Sequence, residues 1–261
     1  MDEVLLTREG GTATVTLNRP DRMNAWGKAL GIALLDAVRE VAEDEAVRAV
    51  VIRGAGRAFC SGADLKDGFE PGPDGRPDLQ SALHERYHPV IGLLREMPKP
   101  VLAAVHGPAA GVGVSLALAC DLIAAAESAY FLLAFVNIGL MPDGGSTGLV
   151  PARVGAARAA EMAMLGERVA ASEALNWGLI NRVWPDEEFD GHVATLAGRL
   201  AQGPTRAYAA SKRALNAWAY PRLNEQLELE AALQQELAAS DDWLEGVGAF
   251  LQKRPAAFQG R

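Results

Sequence analysis

Two loops rich in small residues are the first places in the sequence where chemistry can be expected. Residues 57–65 (RAFCSGADL) follow a short apolar run, and residues 106–113 (HGPAAGVG) follow another and lead into an apolar helix. Glycine and alanine let the backbone approach a ligand closely, and free N–H groups at a helix start form an anion site. Two such loops side by side could hold an oxyanion, although glycine turns between a strand and a helix are usually only turns.

A third segment, residues 141–147 (MPDGGST), carries a single carboxylate among small residues. Taken alone, it predicts a turn in which Asp143 acts as a helix N-cap. On these residues alone, that structural interpretation is favoured over a catalytic one.

Other residues of the sequence give weaker support for further kinds of site. His84 and His88 are four residues apart, so a helix would place them on one face, but a zinc site needs a third ligand. A pocket-lining or solvated helix face is the favoured interpretation of that pair. No GxGxxG or GxxxxGKS/T pattern is present, which argues against nucleotide-binding folds.

The composition is that of a folded, acidic protein. The 261 residues carry 25 basic and 33 acidic side chains, a net charge of -8, whereas nucleic-acid binders need a broad basic footprint. The two cysteines, Cys60 and Cys120, form no CxxC pair, which favours a reducing cytoplasm. The acidic N-terminus predicts no signal peptide. Residues 100–120 are uncharged but contain too much Gly, Pro and Ala for a spanning helix, so no membrane association is expected.

Hydrophobic periodicity predicts an α/β chain that ends in helices. A hairpin is predicted at Val4–Arg8 and Thr12–Leu17, with a Gly- and Pro-rich, mobile loop at 68–77. The other predicted strands are Ala49–Ile52, Val101–Val105, Leu122–Ala125, Tyr130–Leu133 and Ile180–Val183, and the helices are Lys28–Val41, Leu79–Met97, Gly113–Cys120, Ala156–Leu165 and Ser172–Trp177, with Ser172 as an N-cap. Residues 189–251 show helical patterns only. An α/β part, residues 1–187, is therefore expected to precede an all-α part, residues 188–261.

Taken together, these segments resemble the enoyl-CoA hydratase/isomerase (crotonase) superfamily. Any one motif is weak, but the ordered set covers nearly the whole chain. The matching segments are Asn18–Pro20 with Asn24–Ala25, Ala58–Leu65, Gly107–Gly113, Leu118–Asp121, Gly139–Asp143, Ala174–Ile180 and Phe250–Pro255. The resemblance implies a spiral of ββα turns followed by a helical trimerisation region. It also implies an acyl-CoA substrate, a homotrimer or dimer of trimers, and neither a metal nor another cofactor.

The resemblance assigns roles to the two loops. It implies that the backbone N–H groups of Ala63 and Val112 form an oxyanion hole for the thioester oxygen. Enolate charge collects on that oxygen, and each preorganised donor is typically worth about 10²–10³ in rate. A helix that begins near Val112 adds partial positive charge. Substrate and CoA contacts are implied for Ser61, Gly62, Asp64, Leu65, Gly111 and Arg22.

Departures from the family pattern bear on the reaction. Hydratases of the family carry two glutamates, and the corresponding positions here are Ser115 and Phe135, which cannot act as acid or base for water addition. Asp143 lies where several isomerases of the family carry their catalytic carboxylate, and the chain looks most like the ring-1,2-epoxyphenylacetyl-CoA isomerase subgroup, which includes Δ3–Δ2 enoyl-CoA isomerase chemistry. One carboxylate can remove a proton at one carbon and return it at another. The resemblance therefore favours an acyl-CoA isomerase; a hydratase with unusual residues and a catalytically silent acyl-CoA binder are the alternatives.

Overall fold

Two β-sheets form the first part of the chain in the computed structural model, which describes residues 2–73 and 75–261. The strands are β1 (Val4–Glu9), β2 (Thr12–Leu17), β3 (Ala49–Gly54), β4 (Val101–Val105), β5 (Pro108–Ala110), β6 (Leu122–Ala126), β7 (Tyr130–Leu132), β8 (Val169–Ala170) and β9 (Arg182–Trp184). The larger sheet has the order β1-β2-β3-β4-β6-β9, and the smaller one has the order β5-β7-β8. β1 and β2 form an antiparallel hairpin, and the rest of the larger sheet is parallel. Its central strands, β3 and β4, are apolar except for Arg53 near the end of β3, because both faces are covered.

Ten α-helices are present in the described residues. They are α1 (Lys28–Glu43), α2 (Leu79–Ala82), α3 (His88–Glu96), α4 (Val112–Ala119), α5 (Ser146–Leu165), α6 (Ala171–Trp177), α7 (Phe189–Gln202), α8 (Thr205–Ala219), α9 (Leu223–Leu237) and α10 (Asp241–Gln252). A π-helical turn, Leu83–Tyr87, joins α2 to α3. Every residue of α4 is buried, as its uncharged sequence requires. Within the described residues, no helix has the length and apolar character needed to cross a membrane.

The predicted order of α/β part and helical end is confirmed, and α5 is the largest local difference. The periodicity predicts its start at Ala156, whereas the helix begins at Ser146. Pro151 lies inside it, and Gly155 adopts φ 77° and ψ 168°, which kinks the helix there. Because proline and glycine weaken a helical pattern, the first half of α5 is hidden in the sequence.

Both predicted N-caps are wrong. Ala170, and not Ser172, holds the N-cap position of α6. The N-cap of α5 is Gly145, whose conformation is left-handed, and no side chain caps this helix from within its own turn. Asp143 is therefore not a capping residue, and its carboxylate is available for another role.

The C-terminal helices pack against the α/β part. α7 covers one face of the larger sheet through Phe189 and Val193, and the predicted boundary at residues 187–188 falls just before it. α9 packs against α2 and α5, and α10 packs against a 3₁₀ turn at Ala134–Ile138. The helical end therefore contributes walls to the central cavity described next.

Candidate active site

The two glycine loops lie side by side in the structure. Cys60 and Ala109 form a parallel bridge, and the N–H of Ala110 donates to the carbonyl oxygen of Cys60 at 2.9 Å. Gly62 and Gly111 both have positive φ, 95° and 52°. A Cβ atom at Gly62 would lie 2.9 Å from the carbonyl oxygen of Ala110, so glycine is required for this approach. The two loops are therefore adjacent, which the sequence alone left open.

Two backbone N–H groups at this junction, those of Ala63 and Val112, have no acceptor among the described residues. Val112 is the first residue of α4, where a helix leaves its N–H groups unpaired and carries partial positive charge. Because α4 is wholly buried, the low dielectric strengthens this electrostatic effect. Ala63 and Val112 line one cavity, so their N–H groups can bind a negatively charged oxygen there.

Asp143 lines the same cavity and is almost completely buried. Its backbone carbonyl accepts hydrogen bonds from the hydroxyls of Ser115 (2.7 Å) and Ser146 (2.8 Å), which fix the loop between β7 and α5. One carboxylate oxygen, Oδ2, accepts a hydrogen bond from Gln234 Nε2 at 2.7 Å. The other, Oδ1, is buried and has no partner among the described residues. A carboxylate held at one oxygen and free at the other is suited to accept a proton.

The acidity of Asp143 differs strongly from that of an exposed carboxyl. Burial raises its pKa from 3.8 to about 8; the hydrogen bond from Gln234 opposes this rise, and the nearby charge of Glu230 adds to it. Near neutral pH, both the protonated and the ionised forms are therefore populated. General acid–base catalysis is most effective when the pKa lies near the working pH.

A second buried carboxylate, Glu230, is not singled out by the sequence. It lies on α9 and accepts hydrogen bonds from the N–H groups of Gly145 (2.6 Å) and Thr147 (2.9 Å) and from the Thr147 hydroxyl. These donors belong to the start of α5, so Glu230 supplies the capping that Asp143 does not. Burial raises the pKa of Glu230 to about 7. The only sequence signal is its four-residue spacing from Gln234, which other polar residues of α9 share.

The cavity wall is almost entirely apolar, and Asp143 is the only carboxylate among its described lining residues. The large apolar and aromatic residues of the wall are Leu65, Phe69, Leu79, Leu83, Tyr87, Leu132, Phe135, Ile138, Leu140 and Phe250. Water is disfavoured in such surroundings, and an ionised group there is stabilised only by the donors that reach it.

The sequence alone does not decide whether Trp26, Phe131, Phe135 and Leu140 line a substrate pocket or belong to the hydrophobic core. Phe135 and Leu140 line the cavity, whereas Trp26 and Phe131 are fully buried in the core. Phe69 brings the loop at 68–77 to the cavity. Asp74 of that loop lies outside the described residues, and the mobility of the loop stays a prediction.

Comparisons with known proteins agree with this geometry. A family model for enoyl-CoA hydratase/isomerase matches residues 7–261. The chain belongs to this family. It is 40% identical to the 1,2-epoxyphenylacetyl-CoA isomerase of Escherichia coli (strain K12) over 100% of both chains. It is 49% identical to a Rhodobacter capsulatus protein named as a probable enoyl-CoA hydratase, over 96% of this chain and 95% of that one. A crystal structure of an enoyl-CoA hydratase from Mycobacterium avium subsp. paratuberculosis K-10 superposes with a TM-score of 0.90 at 42% identity, covering 98% of both chains.

Membership of the enoyl-CoA hydratase/isomerase family confirms the expected crotonase fold and implies an acyl-CoA substrate. The two positions at which the resemblance expects hydratase glutamates are occupied by Ser115 and Phe135. The Ser115 hydroxyl donates a hydrogen bond to the carbonyl oxygen of Asp143, and Phe135 forms part of the apolar wall of the cavity. Neither position therefore offers a group that could activate water.

The six residues expected to contact substrate or CoA in this enoyl-CoA hydratase/isomerase family member fall into two groups. Four of them line the cavity, namely Ser61, Gly62, Leu65 and Gly111. The other two form an ion pair outside the described lining, with Arg22 Nη1 3.0 Å from Asp64 Oδ2. Arg19 Nη1 lies 2.9 Å from the same oxygen, so the Asp64 carboxylate is occupied by its own neighbours.

His84 and His88 lie on one helical face, as their spacing predicts, and Glu228 lies beside them in the structure. His84 Nε2 lies 3.0 Å from Glu228 Oε2, and the possible ligand atoms of His84, His88 and Glu228 lie within 4.8 Å of one another. Glu228 is exposed, and none of the three lines the cavity. This cluster is separate from the candidate site, and the expectation of metal-free chemistry stays a prediction.

Proposed function

We propose that the protein is an acyl-CoA isomerase that moves a double bond within the acyl chain. The observation that carries this proposal is the position of Asp143, the single carboxylate among the described lining residues of a cavity that also presents the N–H groups of Ala63 and Val112. An isomerase needs one group that removes a proton and returns it, together with donors that stabilise an enolate. A hydratase must also activate a water molecule.

In the proposed reaction, Asp143 acts first as a base and then as an acid. Its ionised carboxylate removes a proton from the α-carbon of a 3-enoyl-CoA, and the electron pair of that C–H bond forms a dienolate. The charge develops on the thioester oxygen, where the N–H groups of Ala63 and Val112 stabilise it. Protonated Asp143 then returns the proton to the γ-carbon, which gives the 2-enoyl-CoA with no atom gained or lost.

Relatives of both kinds are similar to this chain, so the names alone do not choose between isomerase and hydratase. The E. coli relative is named an isomerase, whereas the Rhodobacter relative is named a probable hydratase. Ser115 and Phe135 support the isomerase because a backbone-bonded hydroxyl and a phenyl ring cannot deprotonate water. Asp143 also argues against a protein that only binds acyl-CoA. Burying an ionisable carboxyl group lowers the stability of the fold, and binding alone does not require that group.

We further propose that CoA lies along residues 61–65, with its thioester at Ala63 and Val112. Ser61 and Leu65 support this placement because they line the cavity on the side of the first glycine loop. Arg22 is half-exposed and pairs with Asp64 and Asp67 through Nη1, which leaves the rest of its guanidinium at the surface for the charged end of CoA.

A pair of substrate assays tests the proposed reaction. We expect conversion of a 3-enoyl-CoA to the 2-enoyl isomer and only weak hydration of crotonyl-CoA, both followed by absorbance of the conjugated thioester. Hydration at about 10 per second or more, the typical range of enzymes, without isomerisation would establish a hydratase instead. Binding of a saturated acyl-CoA with no turnover of either substrate would establish a binder.

Assembly into a trimer or a dimer of trimers is expected from the helical C-terminal region. Trp218 and Leu215 lie on one side of α8 and are 83% and 63% exposed, which is unfavourable for a side chain that stays in water. Sedimentation velocity at micromolar concentration should give a mass of three or six chains of 27.6 kDa. A monomer under these conditions would contradict the expected assembly.

A further inference from the structure

A polar stripe on α9 faces the loop that carries Asp143. Gln226, Glu230 and Gln234 are spaced four residues apart, so they lie on one side of the helix. Gln226 Nε2 donates to Thr147 Oγ1 at 2.7 Å, and Glu230 accepts from the backbone of Thr147. Gln234 reaches the other end of the loop. The stripe therefore holds residues 141–147 along their whole length.

Gln234 makes contacts that fix the orientation of its amide. It is completely buried, and its Nε2 donates to the carbonyl oxygen of Met141 at 2.8 Å and to Asp143 Oδ2 at 2.7 Å. Its Oε1 accepts from the N–H of Met141 at 3.4 Å. A flipped amide would place Oε1 against two acceptors, so the hydrogen-bond network determines which end faces Asp143.

We propose that Gln234 is the positioning residue of Asp143, engaging Oδ2 so that Oδ1 is the oxygen that takes the proton from the substrate. The two oxygens are already distinct in the structure, because Oδ2 is bound by Gln234 and Oδ1 has no partner among the described residues. With both hydrogens of its amide used, Gln234 prevents the Asp143 carboxylate from rotating freely. The part of this inference that concerns the substrate proton rests on the proposed function.

Among the groups around Asp143, Gln234 is the one that stabilises the ionised form of its carboxylate. Glu230, from α9, raises the pKa of Asp143 by its charge. Tyr87, from the π-helical turn, is buried, and both burial and the charge of Asp143 raise the pKa of the Tyr87 phenol. Gln234 alone among these groups lowers the pKa of Asp143, because its N–H donates to the carboxylate. Removing that donor should therefore raise the pKa of Asp143, so that its carboxyl group ionises at higher pH.

The pH dependence of kcat/KM tests the inference, since this quantity reports the ionisation of the free enzyme. Asp143 must be ionised to accept a proton, so the rate should rise with pH as that group titrates. In Gln234→Leu, this acid limb should move upward by about one to two pH units, the effect expected for losing one hydrogen bond to a charged group. Gln235→Leu is the matched control: Gln235 lies next to Gln234 on α9 and binds the N–H groups of Leu79 and Gln80, not Asp143. Its acid limb should stay in place.

A second variant covers the case in which leucine is not tolerated. Gln234→Glu keeps the shape of the side chain but places a carboxyl at hydrogen-bond distance from Asp143, and two such groups do not both ionise readily. The acid limb should again move to higher pH. An unchanged limb in either folded variant would overturn the positioning role.

A direct titration separates this inference from the proposed reaction. The infrared carbonyl band of protonated Asp143, identified by its loss in Asp143→Asn, reports ionisation without any substrate. We expect its midpoint to be higher in Gln234→Leu than in the wild type, even if no isomerisation is found. An equal midpoint would overturn the inference, whereas absent turnover with a shifted midpoint would overturn only the proposed function.

Discussion

Replacement of Asp143 by asparagine should abolish isomerisation and leave acyl-CoA affinity nearly unchanged. Asparagine keeps the size of the side chain, and its amide oxygen can still accept the hydrogen bond from Gln234. The carbonyl contacts from Ser115 and Ser146 involve the backbone and should persist. An amide cannot accept the substrate proton, so turnover should fall by at least the 10²–10⁴-fold that a proton-transfer group typically contributes.

Two measurements on the same protein samples decide this prediction: turnover of a 3-enoyl-CoA and the dissociation constant of a saturated acyl-CoA. Asp190→Asn is a suitable control because Asp190 is exposed, pairs with Arg53 and lies outside the cavity lining. It should retain both properties. Turnover of Asp143→Asn within about threefold of the wild type, less than 1 kcal/mol of barrier, would leave Asp143 with a structural role only.

The backbone features of the site, namely the two glycine loops and the start of α4, can be predicted from the sequence because local residues determine them. Gly62 and Gly111 adopt positive φ, and small residues around them permit the close approach of the two loops. A run of uncharged residues from Val112 onward marks a buried helix whose first N–H groups lack partners. Neighbouring residues determine these features, so composition and spacing point to the two loops, whereas the roles of the Ala63 and Val112 N–H groups come from the family resemblance.

The side-chain half of the site depends on contacts that sequence spacing does not encode. Gln234 binds Asp143 across 91 positions, and Glu230 binds Gly145 across 85. Both belong to α9, which packs against α5, and the sequence does not reveal that packing. The same tertiary contact explains why the N-cap prediction for Asp143 is wrong: Glu230, from a distant helix, supplies the capping of α5. Local propensity is therefore overridden where a second element provides the hydrogen bond.

Val112→Pro should lower the kcat of isomerisation by about 10²–10³-fold, the usual effect of removing one oxyanion donor. Val112 is the first residue of α4, the helical position that tolerates proline best because its N–H has no partner within the helix. The preceding Gly111, at φ 52° and ψ -129°, is not in the α conformation that a following proline disfavours. The substitution thus removes the N–H while the helix start remains compatible with the new residue.

Val112→Ala separates the contribution of the Val112 N–H from that of the side chain. Alanine removes most of the same side chain but keeps the N–H, so its turnover of a 3-enoyl-CoA should stay far above that of Val112→Pro. Equal losses in both variants would show that the Val112 side chain matters and would exclude an oxyanion role for its N–H. Because charge develops on the thioester oxygen mainly in the transition state, the proline variant should lose much more in kcat than in affinity for a saturated acyl-CoA. A parallel loss in both quantities would instead indicate that the Val112 N–H binds substrate and enolate equally.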